Sequence, residues 1–154
     1  MIRIADTISP RRIEYQARAS SKKSALERLS DLVAADEDTL EAVEVFDSLV
    51  ARERLGSTGI GHGVAIPHGR LRKLDHVVSA FMRLEQGVDF DAIDKEPVDF
   101  LFALLVPQDC NEEHLKLLAQ LAKMFSNPAT REKLRLAKSS EELYDILSQQ
   151  AESS

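Results

Sequence analysis

The sequence is short of several things, and each shortage excludes something. It has one cysteine, Cys110, so no internal disulfide can form, and a lone thiol fits a reducing compartment. It has no surplus of positive charge. Its 26 acidic side chains against 20 basic ones leave a net charge of −6, which argues against a nucleic-acid partner or an anionic membrane surface. The one basic cluster, Arg3, Arg11, Arg12, Arg18, Lys22 and Lys23, reads as a solvated face. Long apolar runs are missing too: the longest, Phe100 to Val106, is far too short to span a bilayer. Met1-Ile2-Arg3-Ile4-Ala5-Asp6 lacks the apolar stretch of a secretory signal. A cytoplasmic protein with no membrane insertion is the expectation.

Nucleotide motifs are absent as well. No Gly-x4-Gly-Lys-[Ser/Thr] run is present, and Gly59-x-Gly61 is not followed by the third glycine of a dinucleotide fingerprint. His62, His68, Cys110 and His114 follow no recognised metal-ligand spacing, so neither a metal nor a cofactor is expected. There is no internal repeat and no low-complexity linker. A chain of 154 residues with this make-up suits one domain over 1–154, with flexible ends at 1–5 and 149–154.

Glycine is scarce, and its placement is informative. Of six glycines, Gly56, Gly59, Gly61 and Gly63 fall within eight residues, and Gly69 follows shortly after. The run continues through Val64-Ala65-Ile66, a short strand by its β-branched residues, into Pro67-His68-Gly69. Pro67 fixes its own φ and pushes Ile66 toward an extended conformation. The pattern predicts a Gly-rich loop, a strand, and His68 at the strand's end. Imidazole serves near neutral pH as nucleophile, general base or metal ligand. A loop with many free N–H groups suits an anion. Together they suggest a histidine that meets a phosphoryl group, and the residues alone leave equally open a tight turn whose histidine merely packs.

The remaining periodicities outline the elements. Ile13, Tyr15 and Ala17 alternate as a strand would. Ser20 or Ser21 can cap a helix with Leu26, Leu29, Leu32 and Val33 on one face. Asp38-Thr39-Leu40-Glu41 reads as a capping box for a second helix with Val43, Phe46, Leu49 and Val50 as its stripe, ending near Gly56. Val77 to Leu84 is a strand. Val98 to Val106 is apolar on both faces, as an interior strand covered from each side would be. Helices follow from Glu112, with Leu118, Leu121 and Phe125 inward, from Pro128, and from the Ser139-Ser140-Glu141-Glu142 cap, with Leu143, Ile146 and Leu147 inward. Helices bracket a run of strands, giving an α/β or α+β sandwich.

The stretch Gly59-Ile60-Gly61-x-Gly63-Val64-Ala65-Ile66-Pro67-His68-Gly69 resembles, without a gap, the phosphorylation-site motif of the enzyme IIA proteins of the bacterial phosphoenolpyruvate:sugar phosphotransferase system, mannitol/fructose class. The resemblance covers roughly Ile4 to Leu147. Arg52 to Gly61, and Phe90-Asp91-Ala92-Ile93-Asp94 through Val106-Pro107, look closest to the nitrogen-regulatory members. It implies an α/β fold, a small mixed β-sheet flanked by helices on both faces. It also implies that His68 accepts a phosphoryl group, on Nε2 in that family, from the histidine of an HPr-type phosphocarrier protein.

His114-Leu115 matches a family histidine that orients the acceptor or binds the phosphoryl oxygens. Arg52, in the pair Arg52-Glu53, matches the family's phosphoryl-stabilising arginine better than Arg54 does. No chemistry is assigned to His62 or His76. The family reading needs no metal or nucleotide and makes the chain a regulator acting on targets such as potassium-transport components or sensor kinases. Two alternatives accompany it: a fructose- or mannitol-type relay to an enzyme IIB, and a binding module that is never phosphorylated. For phosphoryl transfer, His68 is expected in a shallow depression with an apolar rim, beside His114 and Arg52. The Gly-rich loop and the first turn of the His114 helix are the expected lining, with loop N–H groups as donors to the anion.

Overall fold

The computed structural model of the chain describes residues 2–152. Six strands form one mixed sheet: β1 (Ile13–Ala17), β2 (Gly59–Gly61), β3 (Val64–Ala65), β4 (His68–Leu71), β5 (Val78–Val88) and β6 (Val98–Pro107). The order β1-β5-β6-β3-β2 puts β6 inside. β5 runs antiparallel to β6 on one side, and β1 runs parallel to β5 beyond it. On the other side β3 and β4 lie one after the other, both parallel to β6. The run Val98–Val106 earns its interior place by composition, since every residue in it but Asp99 is fully buried.

Helices cover both faces. α1 (Lys22–Ala34) and α2 (Ala42–Glu53) pack on Val78, Ala80, Met82 and Leu84 of β5 and Leu101, Ala103 and Leu105 of β6. α3 (Glu112–Ser126), α4 (Pro128–Leu136) and α5 (Ser140–Glu152) cover the face formed by Phe81, Phe100, Phe102, Leu104 and Val106. There the rings of Phe81, Phe102 and Phe125 meet with centroids 6.0–6.3 Å apart. The strand alternation of apolar residues separates the two cores.

Local signals set the helix ends. Ser21 caps α1 by accepting the Ser24 N–H at 3.1 Å, and Asn127 caps α4 by accepting the Ala129 N–H at 2.9 Å with Pro128 in first position. α2 starts later than the pattern at Asp38 predicts. Leu40 turns into the core, its N–H bonded to the Glu37 carbonyl, and the reciprocal cap is Glu41 with Glu44 instead. The shift puts Val45 inward where the stripe had Val43, which is 60% exposed. In α3 Leu121 and Phe125 are buried as the stripe predicts, but the third core position is Leu117, with Leu118 half-buried beside it.

Three further expectations change. Arg12 is buried rather than part of a solvated face. It donates to the carbonyls of Ser79 and Thr7 at 2.8 and 2.9 Å and pairs with Asp36. Near the start, Ile4 sits in a 3-10 turn and is buried in the second core. α5 continues to Glu152, past the end at Gln149 that the sequence pattern suggests. Residues 1, 153 and 154, where flexible ends are also expected, lie outside the described residues. Among the described residues no helix is long and apolar enough to cross a membrane.

Candidate functional site

His68 opens β4 rather than closing β3. Pro67 has no N–H to give the ladder, so the strand beside β6 breaks there into two. The Pro67 carbonyl still accepts the Leu104 N–H at 2.9 Å, and pairing resumes with His68 opposite Leu104. The imidazole is thereby mounted beside the innermost strand. Its Nδ1 lies 2.8 Å from the Ile66 carbonyl oxygen. A carbonyl can only accept, so Nδ1 carries the ring proton and Nε2 keeps its lone pair in the neutral ring. Nε2 in turn accepts from Nε of Arg52 at 3.1 Å.

Arg52 reaches His68 from the last turn of α2, and its Nη1 donates to the Gly56 carbonyl at 2.9 Å. The helix can come this close because residue 69 is glycine. A Cβ there would lie 3.1 Å from the Ser48 Cβ and 3.2 Å from its backbone carbonyl carbon. Ser48 is one helical turn before Arg52, and its hydroxyl donates to the Arg70 carbonyl at 3.0 Å. The next residue along α2, Glu53, is buried and turns the other way. Its carboxylate accepts the Thr58 N–H at 3.0 and 3.1 Å and the Thr58 hydroxyl at 3.0 Å, with Lys22 beside it at 3.4 Å.

His114 comes from the first turn of α3. Its ring meets that of His68 edge-on, with centroids 5.2 Å apart and planes at 85°. It is 6% exposed, and its Nδ1 is buried with no hydrogen-bond partner among the described residues. Burial is the main cause that pulls its pKa from 6.5 to about 4, with His68, Arg70 and Arg52 adding repulsion. Burial also lowers the pKa of His68. The bond to the Ile66 carbonyl opposes that shift and the Arg52 charge reinforces it. Both rings are therefore neutral at neutral pH.

Around them lies an open depression lined by Ala51, Arg52, Leu55, His68, Arg70, His114, Leu115 and Leu118 among others. Its rim is apolar on two sides, with Leu55 83% and Leu115 68% exposed. The structure thus brings Arg52, His68 and His114 together. Arg54 does not join them; it lines a groove between α1 and α2. His76 lies elsewhere, between Asp75 at 2.7 Å and Glu37 at 3.2 Å.

The Gly-rich loop is not part of this lining. Gly61, His62 and Gly63 have φ of +98°, +58° and +79°, and His62-Gly63 forms the two-residue turn of a hairpin joining β2 to β3. Val64 pairs with Phe100 and His68 with Leu104, so about 13 Å of strand separates the turn from His68. The His62 N–H already donates to Asp94 at 2.9 Å. The glycines build a turn there, and the expectation that their N–H groups face the anion is corrected.

Sequence reasoning passed over three residues. Arg70 shares His68's face of β4 by period two, and it donates to Asn111 Oδ1 at 2.9 Å and the Gln108 carbonyl at 3.3 Å, tying β4 to the entry of α3. Ser48 lies four before Arg52, a spacing that puts both on one helix face. Glu53 sits in the same pair as Arg52.

Residues 6–150 match the protein family described as phosphoenolpyruvate-dependent sugar phosphotransferase system, EIIA 2. The chain is 46% identical over 147 residues to a nitrogen regulatory protein of Pseudomonas aeruginosa, covering 96% of each chain. It is 34% identical over 147 residues to the fructose-specific EIIA component of a phosphotransferase system in Haloferax volcanii, covering 95% of this chain and 96% of that one. Among solved structures it is similar to the nitrogen regulatory protein IIA-Ntr of Neisseria meningitidis. That likeness has a TM-score of 0.87 and 41% identity, covering 94% of this chain and 98% of that chain.

Proposed function

The chain belongs to the phosphoenolpyruvate-dependent sugar phosphotransferase system EIIA 2 family, and from that premise we propose that it accepts a phosphoryl group on Nε2 of His68 and acts as a regulator through its phosphorylated state. The observation that carries this reading is the pair of contacts on one ring. Nδ1 donates its N–H to the Ile66 carbonyl, and the lone pair of Nε2, which accepts from Arg52 at rest, lies at the depression. A neutral imidazole fixed in that tautomer is a nucleophile that needs no further base.

The phosphoryl donor is the phosphohistidine of an HPr-type carrier protein. A bond forms between phosphorus and His68 Nε2 as the phosphorus–nitrogen bond of the donor breaks. The donor imidazole departs with the electron pair. Both sides of the exchange are phosphohistidines, so transfer is nearly isoenergetic and reversible. Negative charge is spread over the equatorial oxygens, and stabilising it is a matter of position and electrostatics. Arg52 hands its Nε–H from Nε2 to a phosphoryl oxygen, where its planar fork suits the anion. His114 packs edge-on against the acceptor ring and holds it. The apolar rim at Leu55 and Leu115 suits a carrier that docks with water excluded.

The similarity to nitrogen regulatory proteins supports a regulatory role, and the targets proposed for it, from the family resemblance alone, are potassium-transport components or sensor kinases. The similarity to a fructose-specific component keeps a second reading, a relay that passes the group on to an enzyme IIB. The test is incubation with phosphoenolpyruvate, enzyme I and each available phosphocarrier, followed by mass measurement and by addition of candidate enzyme IIB proteins. One phosphoryl group gained, and kept when the IIB proteins are added, is the expected result. No gain with any carrier sinks the proposal, and discharge to a IIB protein favours the relay.

A further inference from the structure

The face of the sheet under α3, α4 and α5 is closed by three helices, whereas α1 and α2 alone close the other. The seam between these two carries two neighbouring depressions that meet at Phe46. One end is lined by Lys22, Lys23, Leu26, Val50 and Arg54, the other by Glu27, Asp31 and Val43, and Phe46 belongs to both. The floor is apolar: Phe46 and Val50 are half-buried and Val43 is 60% exposed. The ends carry opposite charge. Lys23 and Arg54 at one end, Asp31 toward the other and Glu27 between, one turn from Lys23, are exposed and make no ion pair with another described residue.

We propose that this seam is a docking groove for an amphipathic helix of a partner protein, acidic at one end, basic at the other, with an apolar stripe between. An apolar groove on paired helices is the geometry that accepts a helix, read as anchors at i, i+3, i+4 and i+7. The separated charges fix its direction, because a helix laid in reverse puts like charges together at both ends. Scale excludes a stable dimer with a second copy of this chain and suits a weak, transient contact with a single helix. α1 is 13 residues long, so the seam runs about 20 Å and is about 10 Å wide, roughly 200 Å² of footprint. A stable dimer needs about 800 Å² from each partner. The groove lies on the opposite side of the last turn of α2 from His68. Glu53 bonds Lys22 of the groove wall, while the neighbouring Arg52 bonds His68. The inference does not depend on phosphoryl chemistry at His68 and is tested on the unphosphorylated protein.

The probe is a fluorescein-labelled synthetic helix of about 14 residues, with an acidic first turn, a basic last turn and leucines on one face. Fluorescence anisotropy measures its binding, and amide NMR shifts locate it. The expected result is saturable binding with shifts confined to 22–31 and 43–54. Lys23→Glu with Arg54→Glu weakens it at least about tenfold, and a peptide with a basic first turn recovers binding to that double variant. Both side chains are exposed, so the variant keeps its fold, which the same NMR spectrum checks. Equal binding of normal and end-swapped peptides to the unaltered protein overturns the proposal. So does the absence of saturation, shifts centred on Leu55 and Leu115, or self-association of the chain abolished by the double variant.

Discussion

The Nε–H of Arg52 donates to Nε2 of His68 at 3.1 Å while its Nη1 holds the Gly56 carbonyl at 2.9 Å. One guanidinium therefore spans the gap between the end of α2 and the start of β4, and it sits on the nitrogen proposed to react. Arg52→Ala is expected to fold normally and to take up phosphoryl groups about 10²–10³-fold more slowly, the usual effect of losing one donor to a developing anion. Arg52→Lys should recover only part of the rate, since an ammonium lacks the planar fork. Quench-flow transfer from a phosphorylated carrier measures this. A rate for Arg52→Ala equal to that of the unaltered protein would remove the arginine from the mechanism.

His68→Gln should abolish phosphorylation with the unfolding midpoint little changed, because the ring is only partly buried and fills no core space. The phosphate on the unaltered protein should be acid-labile and base-stable. Phosphate that persists in His68→Gln, on His62 or His114, would show that the acceptor has been misplaced.

His114 predicts a pH dependence of stability. Its pKa is lowered from 6.5 to about 4 by burial and by nearby positive charge. The unfolded chain therefore binds a proton near pH 6.5 while the folded chain refuses it. The contribution is absent above that range and turns against the fold as the pH drops, approaching about 3 kcal/mol near pH 4. Urea unfolding at about pH 7 and about pH 5 should show a larger loss for the unaltered protein than for His114→Gln. Parallel losses would mean that the ring titrates as an ordinary exposed histidine.

Gly69→Ala tests the approach of α2. The new methyl meets the Ser48 backbone at 3.2 Å, so the helix must retreat. A cost of about 1–3 kcal/mol is expected, as for other overpacked contacts. Slower phosphoryl uptake should accompany it, because Arg52 moves with the helix. If uptake were unchanged while stability fell, the contact would serve packing alone.

The interior strand was legible because Val98–Val106 is apolar at consecutive positions, a pattern that an interior strand covered on both faces produces. The sandwich of helices followed from periodicity. α2's start was misplaced because the turn at Glu37–Leu40 imitates a cap, and burial of Leu40 settled the register. At the site, the resemblance of the Pro67-His68-Gly69 run singled out His68, and His114 and Arg52 came from matching residues around it. Glycine density misled: a hairpin turn and an anion cradle ask for the same residue, and only strand pairing shows which one is present. The role of Gly69 was hidden for a different reason, since contact with Ser48 joins elements 21 positions apart.

The pairing of β4 with β6 has a consequence for how any signal leaves the molecule. His68 hangs from a ladder anchored on both sides of it, through the Leu104 amide on the Pro67 carbonyl and the Gly69 register with Leu105. Such a mount resists being dragged when its side chain is modified. A group added there changes the surface potential, by about −1.5 to −2 charges for a phosphate at neutral pH, and leaves the scaffold standing. A partner would then discriminate the two states by the field above Leu55 and Leu115 rather than by a change of shape, and its discrimination would weaken as added salt shortens the reach of that field.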